Sequence, residues 1–329
     1  MTHLAPHLTT FLREYLPRVR ACSAHTCDAY AYSFQLLLCF AAERYGTSPS
    51  DLILEQLDAP LILAFLEYIE TVRGNSPRTR NARLAAFKAF AHFLEYRVPS
   101  AIEQFRCILA VPFKKTDEAL VDYLNRQELQ ALLDAPDPTT RSGIRDRAML
   151  HLCFSGGLRV SELIGLRLDE VQTHPEASIR VRGKGRRERL LPLWKETAKA
   201  LRAWLSVRGP SQASELFLSA KGVPLTRSGF EYILTKHVET AATACPSISS
   251  KRVSPHVLRH TCAMHTLQAT HDVRKVALWL GHASVKSTEI YLRADPAVKL
   301  EALEAGVAPM LRRGRFQAPD RLLAMLRSS

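Results

Sequence analysis

The first third of the chain repeats one pattern, apolar residues three and four apart, interrupted by polar caps. Tyr30, Phe34, Leu37, Leu38 and Ala41 fall on one face of a helix that runs up to Gly46. Asp58 reads as an N-cap with Pro60 in the first turn, and that helix ends at Gly74. Ser76-Pro77 opens the next, where Leu84, Phe87, Phe90, Ala91 and Leu94 make a wide apolar stripe. Its first turns carry Arg78, Arg80 and Arg83. Cations there oppose the helix dipole, so something other than helix stability favours them. A phosphate backbone would supply the reason, which makes these three the candidate DNA contacts; a solvated basic face explains them equally well.

The periodicity then lapses. Residues 111–118, VPFKKTDE, combine a proline with adjacent lysines and suit an exposed linker. Asn125 with Glu128 resembles a capping box opening a new helix, and a helix through Arg145–Phe154 stops at Gly156-Gly157. From Ser178 to Leu193, apolar residues alternate on both sides of a Gly-Lys-Gly turn, which predicts a β-hairpin. Helical patterning resumes afterwards, with Ser254-Pro255, Asp272 and Ser284 as starts and Gly281 as a stop. The expected organisation is therefore a helical unit over 1–110 and a linker over 111–124. A second unit over 125–308, mainly α with a small antiparallel β-sheet or hairpin, and a basic tail over 309–329 complete it.

Composition narrows the function classes. With 329 residues and 47% hydrophobic content, two cores are affordable. Lys and Arg outnumber Asp and Glu by 45 to 32, and the resulting net charge of +13 favours a polyanionic partner, nucleic acid first. No stretch is apolar for long enough to cross a bilayer, and the start of the chain has no signal-peptide pattern, so no membrane partner is expected. The seven cysteines are scattered without CxxC spacing and read as small buried hydrophobes in a reducing cytoplasm.

Chemically capable residues gather in the second unit. SPHVLRH puts His256 and Arg259 three apart on one helix, with His260 next to the arginine. His256 and His260 also stand at the i, i+4 spacing of a zinc site. A zinc hydrolase would need a carboxylate base between them, however, and an arginine beside a ligand would repel the cation. No metal or other cofactor is expected. Phosphate chemistry suits the cluster better, since a guanidinium forks onto two oxygens and a histidine moves protons near neutral pH. Arg159, in SGGLRVSELIGL, is an isolated charge among core residues, either paired with Glu162 or reserved for an anion. Lys184 sits between two turn glycines, and His282 and Tyr291 follow the Gly281 stop. Taken singly, each is as well explained by ordinary structure.

In order, GLRVSEL, GKGRRERLLPL, HVLRHT, LGHAS and TEIYL resemble the tyrosine recombinase (phage integrase) family, strongly over residues 120–300 and more loosely before. The resemblance implies a two-domain architecture with a core-binding, SAM-like first domain. It also implies a catalytic set of Arg159, Lys184, His256, Arg259, His282 and Tyr291. Tyr291 would be the nucleophile that forms a 3′-phosphotyrosine, and the two arginines would hold the phosphate. Lys184 would protonate the leaving oxygen, His256 would assist proton transfer at the tyrosine, and His282 would buttress the phosphate. Glu162 would orient Arg159, and His260 would be a packed helix residue. The implied partners are double-stranded DNA, a homo-tetramer of clamp-shaped subunits on paired sites, and accessory recombination proteins.

The end of the chain departs from the chromosome-dimer resolvases of the family, which stop in a short tail bearing His-Pro-Arg. Here ADPAVKLEALE and a longer basic tail follow Tyr291, closer to the integrases of mobile elements; an Xer-type chromosome or plasmid dimer resolvase is the alternative. The segment after Tyr291 has an apolar side (Val298, Leu300, Ala302, Leu303) that the resemblance would dock on a neighbouring subunit. Two further classes are a DNA-binding protein without catalysis, disfavoured by the complete set, and a type IB topoisomerase, disfavoured by the separate helical first unit.

Overall fold

The computed structural model describes residues 2–117, 120–183, 188–282 and 284–294. The chain divides into two compact units, Met1–Glu118 and Ala119–Ser329, each with its own hydrophobic core.

In the first unit, α1 (Leu4–Thr10) widens into a π-type turn over Phe11–Val19, a stretch for which the apolar pattern predicts nothing. It is followed by α2 (Ala24–Tyr45), α3 (Ala59–Thr71), α4 (Pro77–Leu94) and α5 (Ile102–Ala110). Ser23, Asp58 and Ser76 each accept the N–H three residues on, which fixes the starts of α2, α3 and α4. Phe11 is fully buried, with ring centres 5.1 Å from Phe90, 5.2 Å from Phe93 and 6.2 Å from Phe34. Aromatic packing thus ties the unpredicted N-terminal stretch to α2 and α4.

The three arginines of α4 are not one open face. Arg78 is exposed, but Arg80 and Arg83 are buried. Arg80 donates to the Pro112 carbonyl at 2.9 Å and to Asn81, with Glu70 at 4.0 Å. Arg83 lies over the Tyr32 ring, 5.4 Å from its centre. Arg80 and Arg83 are therefore corrected from surface contacts to packing residues, and their place at a helix start has a structural cause. The stretch expected as an exposed linker is likewise stitched down at its beginning. Val111 is buried, Lys114 exchanges bonds with Asn81, and its ammonium reaches Glu70 at 2.7 Å.

The second unit runs α6 (Arg126–Asp134), α7 (Arg141–Ser155), α8 (Val160–Ile164), β1 (Val171–Gln172), β2 (Ser178–Arg182) and β3 (Glu188–Pro192). It continues with α9 (Lys195–Arg208), α10 (Arg227–Ala244), α11 (Pro255–Thr270), α12 (Val273–Leu280) and α13 (Glu289–Ala294). The strands form an antiparallel sheet in the order β1-β2-β3, with Val181 opposite Arg189 and Arg182 opposite Glu188. Ile179, Val181 and Leu191 point into the core and Arg180 and Arg182 away from it, the alternation a half-buried sheet requires.

Buried polar groups lock the helices around this core. Asp146 on α7 accepts from Arg145 and lies 2.9 Å from His237 on α10. Glu128 closes the predicted capping box with Asn125 and also takes Lys251 at 2.6 Å and Ser247 at 2.9 Å. The cysteines are free and only Cys153 and Cys262 are buried; Cys39 and Cys107 are exposed, because the helices carrying them turn those positions outward. Lys184, the segment expected to form a helix after Tyr291, and the basic tail lie outside the described residues. Among the described residues, no helix is long and apolar enough to cross a membrane.

The aromatic cluster yields a stability prediction. Phe11→Ala should cost about 3–5 kcal/mol through the cavity it leaves, read as a lower urea midpoint for the full chain by circular dichroism. A loss below about 1 kcal/mol would mean the N-terminal stretch contributes little to this core.

Candidate active site

The site is built where α7 ends. Gly157 has φ +53°, and a Cβ there would come within 2.4 Å of Leu280 and 3.1 Å of the Cys262 sulfur. Only a glycine lets the end of α7 meet α11 and α12 so closely. Its carbonyl accepts from Arg259 on α11, whose other terminal nitrogen donates to Leu280 O at 2.8 Å. Two main-chain carbonyls from different segments thus aim one guanidinium. Arg259 is buried, and burial together with Arg159 pushes its pKa down to about 10, still well above neutrality, so it keeps its charge.

Arg159 is the N-cap residue of α8. Glu162, three residues on, accepts its backbone N–H at 2.9 Å and its side chain at 2.8 Å. The same carboxylate takes a second guanidinium, Arg189 of β3, through contacts of 2.8 and 3.2 Å. Glu162 is 8% exposed. Burial works against its charge, but bonds from Arg189 and from the Arg159 backbone prevail and hold its pKa below the usual carboxylate value. Arg159 stays one-third exposed and Arg189 about one-tenth, so the first can still meet a ligand while the second is spent on Glu162. Arg189 also crosses the left-handed Gly281 turn, 3.0 Å from where a Cβ would stand.

That turn delivers His282, whose Nδ1 is 2.7 Å from the hydroxyl of buried Thr288. Burial, then the charges of Arg259, Arg159 and Arg189, push the His282 pKa down to about 4. Tyr291 on α13 is 1% exposed, with its ring nearly parallel to His282 at 6.5 Å between centres. Burial raises its pKa to about 12, although Arg259 and Arg159 pull the other way.

Four of the six expected residues, Arg159, Arg259, His282 and Tyr291, are brought together here. His256 is not where it was expected. It is exposed on the first turn of α11, and the histidine on the Tyr291 hydroxyl is His260, with Nδ1 3.0 Å from the phenolic oxygen. The two histidines share a helix face, so spacing alone could not choose between them. His260 lies one turn deeper, where α13 packs. Arg189 was missed altogether; its one sequence signal was a charge at a position facing the valine of the opposite strand. Among the described residues, no group of three His, Cys, Asp or Glu is placed to hold a metal ion.

A helical domain with a three-stranded sheet, two guanidiniums flanking a carboxylate, and a buried tyrosine beside two histidines defines a phosphoryl-transfer site of the tyrosine-nucleophile class. Residues 122–297 match the phage integrase family and residues 9–97 the N-terminal SAM-like domain of phage integrases. A Sinorhizobium fredii protein named as an integrase/recombinase is 43% identical over 99% of this chain and 98% of its own length. The tyrosine recombinase XerC of Pelotomaculum thermopropionicum is 32% identical over 87% of this chain and 92% of its own. In fold, the chain is similar to the Tn1549 transposon integrase solved in complex with transposon right end DNA. The TM-score is 0.66 at 16% identity, over 90% of this chain and 98% of that one. The chain belongs to the phage integrase family of tyrosine recombinases.

The depressed pKa of His282 fixes a sign. An unfolded histidine titrates near about 6.5, above the folded value of about 4. The stability tied to its neutral form is therefore complete above the unfolded value and is lost as pH falls towards 4. The His282 ring protons, followed by NMR, should show no titration between about pH 5.5 and 8. A midpoint near the ordinary histidine value would show that the arginines do not act on it.

Proposed function

We propose that this recombinase acts at specific DNA sites, with Tyr291 as the nucleophile and a 3′-phosphotyrosine as the intermediate. The observation that carries this reading is the convergence of Arg159, Arg259, His282 and Tyr291, distant in sequence, on one pocket. Attack by the Tyr291 oxygen forms a bond to phosphorus and breaks the bond to the 5′-oxygen. Because the covalent link conserves the phosphodiester energy, rejoining needs no nucleotide. Arg159 and Arg259 offset charge on the non-bridging oxygens, the service a metal ion provides elsewhere. His282, with Nδ1 engaged by Thr288, has Nε2 left for the phosphate. Lys184 protonates the departing 5′-oxygen from the hairpin turn, and His256 joins the phosphate contacts from the exposed turn of α11. Since Tyr291 is enclosed, DNA binding has to open the α12–α13 turn before the phosphate reaches it.

The partner is double-stranded DNA, held by four subunits on two paired sites with the help of accessory proteins, in the cytoplasm. Supporting DNA are the net charge of +13 and the exposed Arg78. The biological setting is the integration or transposition of a mobile element. The 43% relative named as an integrase/recombinase and the long basic tail favour it over an Xer-type resolvase, to which the 32% relative points.

Tyr291→Phe should bind site DNA as well as the wild type yet give no covalent complex on a nicked suicide substrate. A denaturation-resistant protein–DNA band from this variant would remove Tyr291 as the nucleophile.

Arg259→Lys should lose about 3 kcal/mol of transition-state stabilisation, a hundredfold or more in cleavage rate. A single ammonium cannot span Gly157 O and Leu280 O and still face a phosphate. Near-normal single-turnover cleavage by this variant would make Arg259 a packing residue only.

A further inference from the structure

We infer that His260, rather than His256, is the base that takes the Tyr291 proton as the tyrosine attacks phosphorus, and the acid that returns it when the tyrosine leaves. This rests on the reading of Tyr291 as the nucleophile and assigns the proton that reading leaves without a destination.

The geometry is direct. His260 Nδ1 is 3.0 Å from the phenolic oxygen, and the rings meet edge to face at 5.6 Å. No other side chain among the described residues forms a recorded hydrogen bond with that hydroxyl. Tyr291 is 1% exposed, so bulk water has little access to its proton. A phenol buried in this way gives up a proton only to a group already in contact with it. Carboxylates do not compete: Glu162 is saturated by Arg159 and Arg189.

His260 is also kept in the proton-accepting form. The groups acting on it are His256 and Arg259 on its own helix, Asp122 before α6, Tyr291 on α13 and His282 on the turn before it. Burial, His256 and Arg259 disfavour a proton on His260 and outweigh Asp122, so its pKa lies below that of a free histidine. Arg259 and Arg159 lower the barrier from the other side by favouring phenolate. Adjacency completes the case. Arg259 and His260 are consecutive residues of one helix, so the group gripping the phosphate and the group taking the proton keep a fixed offset.

The step balances. The phenolic proton passes to Nδ1, the oxygen–phosphorus bond forms, the bond to the 5′-oxygen breaks, and that oxygen is protonated from the opposite side. Rejoining reverses each transfer.

The test measures single-turnover covalent complex formation on a suicide duplex, beside DNA affinity, for full-length His260→Asn, His260→Ala and Tyr291→Phe. Asn can hold the tyrosine hydroxyl where Nδ1 holds it but cannot accept its proton. Both His260 variants should bind normally and cleave about a hundredfold more slowly or worse. A 5′-bridging phosphorothiolate, whose sulfur departs without a proton, should leave that defect in place while relieving the defect of Lys184→Ala. Wild-type cleavage by His260→Asn would reduce the contact to positioning and overturn the proposal. So would faster cleavage by either variant, which would make the contact a restraint on the tyrosine. Rescue of His260→Ala by the sulfur substrate would move His260 to the leaving-group side and equally refute it. Tyr291→Phe separates the two claims: if it still forms an adduct, the nucleophile is wrong. If it is inert while His260→Asn is normal, only the inference about His260 fails.

Discussion

Three guanidiniums and two histidines share one pocket, and the carboxylate of Glu162 is what allows them to. Two like charges about 4 Å apart repel by about 4 kcal/mol at the effective dielectric near a protein surface. A buried cluster of arginines without a counter-charge would open or lose protons. Glu162 takes Arg189 with both oxygens while holding both the backbone and the side chain of Arg159. One carboxylate therefore orients an arginine that can meet a ligand by neutralising one that cannot. The remaining guanidinium, Arg259, is aimed by main-chain carbonyls, whose position depends on Gly157 and the close approach of α7 to α12. The pocket retains a positive surplus that a phosphate can satisfy.

Burial does two jobs at the site. It raises the Tyr291 pKa, which keeps the nucleophile protonated at rest, and it lowers those of His260 and His282, which keeps both rings neutral. The first makes the tyrosine dependent on a neighbouring base, and the second supplies that base in usable form. The low dielectric that suppresses idle reactivity also strengthens the pull of the arginines once charge develops on phosphate. The sheet takes part because Arg189 joins β3 to Glu162 and runs across the Gly281 turn. The hairpin that carries Lys184 is thereby tied by its strand to the two elements that present Arg159 and His282.

Much of this was legible one element at a time. Asp58, Ser76, Asn125, Ser254 and Asp272 accept the N–H groups that their place before an apolar run implied, because a cap needs only residues two or three positions away. The hairpin register follows from alternation for the same reason. What local pattern could not supply was orientation across the core. Arg78, Arg80 and Arg83 look alike in the sequence. Only the return of residues 111–114 along α4 and the position of Tyr32 turn two of them into packing residues.

The chain by itself determined the kinds of group present, their order and the elements that carry them. A guanidinium, an imidazole or a phenol is fixed by residue identity, and helix starts and turns by short-range hydrogen bonding. The tertiary structure decided which of two histidines on one helix face meets the tyrosine, and that a strand arginine completes the carboxylate. Those choices depend on packing between segments distant in the chain, α13 against α11 and β3 against α8. Side-chain contact across a core is a property of that packing, and no spacing along one segment encodes it.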